Sequence, residues 1–304
     1  MGILRALSVL LILSSNLSLF AKSVSECHEN KNILTAQILN KGLLRDHPIV
    51  LISGLFNEAR KAEFNALKAE LINYYHVPTE QIFTINPSSN QGFETNTNLI
   101  STSLRNIQSE FGKKVIVFAH SMGGTSMMLS ALQNQDLIPD VVETTFLMQP
   151  AFGSQLATAV DDVCTKSPLL FLPACKTPRK YRAGLRSLKT PIVDKIFLKA
   201  ISELKPETHQ AIDENVFYLR ASYTPGSARL GAGSRIVHNL LKMLYGPNDS
   251  AMVHSRQHLC GIGTDFELTV PGRHSAIVDG RQTDDETMLT KTFLRYMVES
   301  VGYN

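Results

Sequence analysis

The feature that most constrains this chain is the stretch VIVFAHSMGG at residues 115–124. Five consecutive apolar residues, 115–119, give way to His120, Ser121 and Met122, and two glycines follow. An unbroken apolar run of this kind reads as a strand buried on both faces, as in parallel sheets covered by helices. Helix-like sequence resumes at Gly124. The segment is therefore a strand, a sharp turn and a helix, with Ser121 at the apex. Ala119, Gly123 and Gly124 are small where such a turn brings backbones together, because a larger side chain would strike the neighbouring strand or helix.

The rest of the chain repeats this rhythm. Strand-like runs lie at 48–53, 81–85, 115–119, 144–148 and 216–221. Helix-like stretches lie at 58–75, 95–111, 125–132 and 285–301. Alternation of the two predicts an α/β fold, a mostly parallel central sheet with helices on both faces. A chain of 304 residues, 43% hydrophobic and 19% charged, is large enough to bury such a sheet in one domain. The connection between the fourth and fifth strands, 149–215, is far longer than an ordinary loop. It predicts an insertion at about 154–214. Within it, Ile192, Val193, Ile196, Phe197, Ala200, Ile201 and Leu204 form one stripe at helical spacing. That stripe reads either as a helix packed on the core or as a mobile lid.

Residues 1–21 carry Arg5, an apolar stretch from Ala6 to Leu13 and a Ser/Leu stretch ending at Ala21. This reads as a signal peptide cut near Ala21, since Ser14, Ser15 and Asn16 interrupt the apolar core too early for a stable membrane span; an uncleaved anchor is the alternative. The mature domain is then 22–304, secreted or periplasmic. All four cysteines, Cys27, Cys164, Cys175 and Cys260, lie beyond the cut. An even count in an exported chain predicts two disulfides. The favoured pairing is Cys164–Cys175 and Cys27–Cys260; free buried thiols are the alternative. No C-x-x-C spacing suggests a metal site. A net charge of +3 gives no reason to expect a nucleic-acid partner. The basic residues between 176 and 186 are interrupted by Pro178, Tyr181 and Leu185. They read as a solvated surface or a contact for anionic lipid.

A serine hydroxyl is a poor nucleophile at neutral pH. It needs access to substrate, a base within hydrogen-bond reach and donors for the oxyanion that forms. The turn at Ser121 fits the G-x-S-x-G nucleophile elbow, with Ala119 in place of the first glycine. The segment PIVLISGLFNEA, 48–59, resembles the strand and His-Gly loop of bacterial lipases in the α/β-hydrolase superfamily, with Ser53 at the histidine position. That resemblance implies an oxyanion hole made by the backbone N–H groups of Leu55 and Met122. It extends to YGPNDSAMVHSRQHLCGIG, 245–263, which is similar to the lipase Asn-Asp-Gly turn bearing the triad acid, here Asp249. It extends further to VPGRHSAIV, 270–278, which matches the loop bearing the catalytic histidine, here His274. QPAFGS, 149–154, resembles the turn after the strand that follows the elbow.

The implied triad is Ser121, Asp249 and His274, in the chain order of α/β-hydrolases. Asp265 is the alternative acid. His254 and His258 are four apart, yet lack the glutamate of an H-E-x-x-H zinc site. His120 reads as a packing or hydrogen-bonding residue. Calcium-dependent relatives place an aspartate two residues after the catalytic histidine. Ala276 stands there, so the resemblance implies no cofactor unless the insertion supplies a calcium site of its own. The expected activity is hydrolysis of carboxylic esters, foremost a lipase on acylglycerols at a lipid–water interface. A small-ester esterase, a phospholipase, an acyltransferase and a hydrolase-fold binding protein without catalysis are the alternatives.

Overall fold

The computed structural model describes residues 31–33, 39–55, 63–158, 161, 181–222, 239, 242–243, 254–266 and 270–271, with helical residues 291, 293–295 and 297–298. The leader at 1–21, Cys27, Cys164, Cys175, Asp249, His274 and Ala276 lie outside them.

Seven strands form one sheet: β1 (Lys31–Ile33), β2 (Ile49–Ile52), β3 (Ile82–Ile85), β4 (Val115–His120), β5 (Val142–Met148), β6 (Val216–Leu219) and β8 (Thr264–Phe266). Their order is β1-β8-β6-β5-β4-β2-β3, and every pairing is parallel. The helices are α1 (Lys41–Asp46), α2 (Asn65–Asn73), α3 (Phe93–Phe111), α4 (Met122–Gln133), α5 (Arg182–Ser187), α6 (Thr190–Ser202) and α7 (Pro206–Asn215).

The apolar runs divide their side chains between two cores, one on each face. Val50, Ile52, Val117, Ala119, Leu147 and Tyr218 pack with α3, α4 and α6. Ile49, Leu51, Ile116, Phe118, Phe146 and Phe217 pack on the other face with Leu44, Leu67, Leu71 and the helical residues Phe293, Leu294 and Met297. Successive residues of a strand point to opposite faces, so a strand covered on both sides must be apolar throughout. Register places Phe118, Phe146 and Phe217 side by side, and their rings stack at 5.1 and 5.7 Å. Such pairs hold the register of β4, β5 and β6.

Several boundaries differ from the sequence reading. Helix α2 begins at Asn65, and 56–62 lie outside the described residues. Helix α4 begins at Met122, immediately after the apex serine. The fifth run stops at Leu219; Ala221–Ser222 (β7) instead pairs with Val270–Pro271 (β9) in a separate two-stranded ladder. The amphipathic stripe of the insertion is α6, with Pro191 in its first turn. Val193, Phe197 and Ala200 are buried in the core, and Phe197 meets Phe152 edge-on at 5.3 Å.

Tyr218 is fully buried in β6. Burial, and then the charges of Asp265 and Asp213, push its phenol well above the ordinary range. A raised folded-state value contributes stability that is present below about pH 10 and lost as pH rises beyond it. The melting temperature should therefore fall steeply above that pH, and Tyr218→Phe should flatten the fall. An identical alkaline limb in the variant, followed by circular dichroism from pH 8 to 11.5, would count against this.

Candidate active site

The elbow is built by strand β4 running into helix α4. Ser121 has φ 52° and ψ −123°, a conformation that L residues rarely adopt. Such strain is tolerated when surrounding contacts over-determine it, and it concentrates at functional sites. Here the contacts are explicit. Ser121 N–H donates to the Met148 carbonyl at 3.1 Å. The Ser121 carbonyl accepts from Thr125 N–H at 3.1 Å, from Thr125 Oγ1 at 3.2 Å and from Ala151 N–H at 3.3 Å. Thr125 Oγ1 accepts from Ala151 N–H at 3.0 Å. The QPAFGS turn thus braces the elbow from β5, with Gln149 itself at φ 49°.

The small residues are required by contact distances. A methyl group at Gly123 would lie 2.4 Å from the Ser53 carbonyl oxygen and 2.8 Å from that of Ile52. One at Gly124 would meet the Ala119 carbonyl oxygen at 3.1 Å. One at Gly54 would lie 2.9 Å from Ser121 Cβ. The loop after β2, which carries Leu55, and the turn after β4, which leads into Met122, therefore touch.

Met122 opens helix α4, where the first N–H groups have no intrahelical partner. Neither its N–H nor that of Leu55 donates to an acceptor among the described residues. Ser53 occupies the expected histidine position; its hydroxyl donates to Asn86 Oδ1 at 2.7 Å, tying the loop to the end of β3. Ser121 is only 7% exposed, so the apex of the turn is covered. The insertion packs against the neighbouring loops. A methyl group at Gly184 in α5 would lie 2.5 Å from the Ser89 carbonyl oxygen and 2.9 Å from Leu55 Cδ1.

The insertion is also tied down from beside β8. Arg256 Nη1 donates to Asp194 Oδ1 of α6 at 2.7 Å and to the Phe152 carbonyl at 3.4 Å, while Phe152 N–H donates to the Arg256 carbonyl. Asp161 lies 3.1 Å from Lys189 Nζ, with Arg182 and Arg186 each at 3.9 Å.

Two buried histidines have carboxylate partners. His120 Nδ1 is 2.7 Å from Glu63 Oε1, which makes His120 a hydrogen-bonding residue beside Ser121. His258 Nδ1 is 2.9 Å from Asp265 Oδ2, and Arg220 Nε lies 3.6 Å from Asp265 Oδ1. Among the described residues, Ser121 included, His258 Nε2 meets no hydrogen-bond partner. Among the described residues no three His, Cys, Asp or Glu side chains gather as a metal site, and no helix is long and apolar enough to cross a membrane. Of the cysteines only Cys260 is described, and it is not a free thiol.

Glu63 and Asn86 carry no motif signal. Their partners are 57 and 33 residues away in sequence and meet them only after the sheet forms.

A parallel sheet with helices on both faces and a strained serine between strand and helix defines the α/β-hydrolase fold, and solved structures agree. Bacillus licheniformis lipase BlEst2 in its mature form superposes with a TM-score of 0.58 at 18% identity, over 90% of this chain and 96% of that one. Its propeptide form gives 0.59 at 20%, over 85% of this chain and 51% of the longer partner. The metagenomic carboxyl esterase MGS0156 gives 0.60 at 16%, over 84% and 77%. No sequence-family profile matches the chain, and no curated protein matches it by sequence.

Proposed function

We propose that this protein is a serine hydrolase of carboxylic esters, acting foremost on acylglycerols. The observation that carries this reading is Ser121, held at φ 52° at a strand-to-helix turn, with the backbone N–H groups of Leu55 and Met122 taken by no described acceptor. Ser121 Oγ attacks the ester carbonyl, and His274 accepts its proton. The N–H groups of Leu55 and Met122 hold the oxyanion. His274 then protonates the leaving alcohol, and Asp249 orients its ring. Water releases the acyl group by the same route.

Chain order supports these assignments. Asp249 falls between β6 and β8, and His274 follows Pro271 by three residues; Pro271 pairs with Ser222, just beyond β6. Asp265, the alternative acid, is occupied by His258 and Arg220.

The preference for lipids rests on the cover. The insertion at about 154–214 packs onto the oxyanion loop at Leu55, and the nucleophile beneath is buried. Movement of α5 alone at an oil–water boundary, with α6 staying in the core, would expose Ser121 and an apolar acyl groove together. The names of the lipase and the carboxyl esterase with this fold favour the same chemistry. The reading includes export through the leader at 1–21, with Cys27–Cys260 and Cys164–Cys175 as disulfides, and it requires no metal.

A fluorophosphonate probe tests the chemistry: one adduct per chain is expected, on the peptide containing Ser121. No adduct on folded protein would overturn the assignment. Tributyrin tests the substrate class, with a jump in rate above its solubility limit expected for a lipase. A smooth saturation curve across that limit would favour a small-ester esterase.

A further inference from the structure

We propose that Glu63 is a positioning residue for the oxyanion hole, an inference that rests on the ester-hydrolase reading above. The argument begins at Gly54. No side chain fits there, because a methyl group would lie 2.9 Å from Ser121 Cβ and 3.1 Å from His120 Nδ1. Glycine is also the residue with the widest backbone freedom. The chain thus carries a loose joint immediately before Leu55, whose N–H must aim at the developing oxyanion. Donors work when they are pre-aimed, so that no reorganisation is needed as charge develops.

Glu63 removes that looseness. Its Oε1 accepts from Gly54 N–H at 3.1 Å and from His120 Nδ1–H at 2.7 Å. One carboxylate oxygen therefore joins the oxyanion loop to the residue preceding the nucleophile. The His120 and Glu63 side chains are 1% and 5% exposed, where such bonds compete little with water. Pinning the Gly54 amide orients the next peptide, and with it the Leu55 donor, relative to Ser121. The carboxylate itself touches no reacting atom. Its effect passes through Gly54 to Leu55.

The test compares Glu63→Ala, Glu63→Asp and Glu63→Gln in the full chain, with p-nitrophenyl butyrate as substrate and an alkylboronic acid as the tetrahedral mimic. Glutamine keeps an acceptor oxygen at the same reach. Aspartate keeps the charge but is one methylene too short to serve both donors. Alanine and aspartate should lower kcat by about 10²-fold, the scale of one misaimed oxyanion donor. KM should change by less than about twofold, since ground-state binding does not use the hole. Boronate affinity should fall in step with kcat, and glutamine should restore most of both. A merely structural role would lower the melting temperature and leave the boronate-to-substrate ratio unchanged. If alanine does not fold, the aspartate–glutamine contrast decides. An active aspartate variant with an inactive glutamine variant would overturn the proposal, as would unchanged kcat in all three. A wild-type protein with no esterase activity would instead sink the underlying reading.

Discussion

Ser121→Ala should leave a folded protein whose ester hydrolysis is slower by on the order of 10⁴-fold or more. Only the hydroxyl group is removed, and alanine meets the same backbone demands as serine at φ 52°. The residual rate would come from the oxyanion donors and substrate binding, which the substitution leaves in place. The strain gives a second readout. Ser121→Gly relieves a backbone penalty of about 1–3 kcal/mol, so it should raise the melting temperature while abolishing activity just as fully. Stability gained as catalysis is lost is what a conformation retained for chemistry predicts. Wild-type turnover of p-nitrophenyl esters by the alanine variant would end the assignment of Ser121 as nucleophile.

His274→Ala should cost a comparable factor, on the order of 10⁴-fold or more, whereas His258→Ala should cost mainly stability. The contrast matters because His258 already has a buried carboxylate partner, at 2.9 Å from Asp265, and superficially looks like a triad base. Its Nε2 has no hydrogen-bond partner among the described residues, so it is not poised on the serine. Removing the imidazole leaves the Asp265 carboxylate, 3% exposed, with Arg220 at 3.6 Å as its charged partner among the described residues. Losing one member of a buried pair costs about 3 kcal/mol or more. The His258 variant should thus unfold earlier yet keep its rate within about tenfold at a temperature where it remains folded, since no transition-state contact is removed. The reverse pattern, with His258→Ala inactive and His274→Ala active, would move the base to the β8 side of the sheet.

Much of this protein follows from local pattern. The runs at 48–53, 81–85, 115–119 and 144–148 became β2, β3, β4 and β5 because an unbroken apolar segment has no stable place except between two helical layers. Ser121 announced itself because the elbow is contiguous in sequence: strand, small residues, apex and helix all lie within ten positions. The glycines at 123 and 124 were legible for the same reason, and the distances to Ser53, Ile52 and Ala119 account for them. Strands β1, β8 and β9 were less legible, since pieces of two or three residues carry too little periodicity to declare themselves.

Tertiary structure decided what depends on distance across the chain. Glu63 lies in an unremarkable stretch, yet its oxygen meets Gly54 N–H and His120 because β2 and β4 are neighbours in the sheet. Asp265 and His258 are seven residues apart and show no motif, and only the turn into β8 brings Nδ1 onto the carboxylate. The stripe at 191–204 fitted a core helix and a lid equally well by period alone. Its anchoring by Phe152 and Arg256 required the fold. Periodicity and steric limits act between residues close in sequence, so they are written there. A buried polar contact between distant segments exists only once the backbone has placed both partners in one dry space, and no local pattern encodes it.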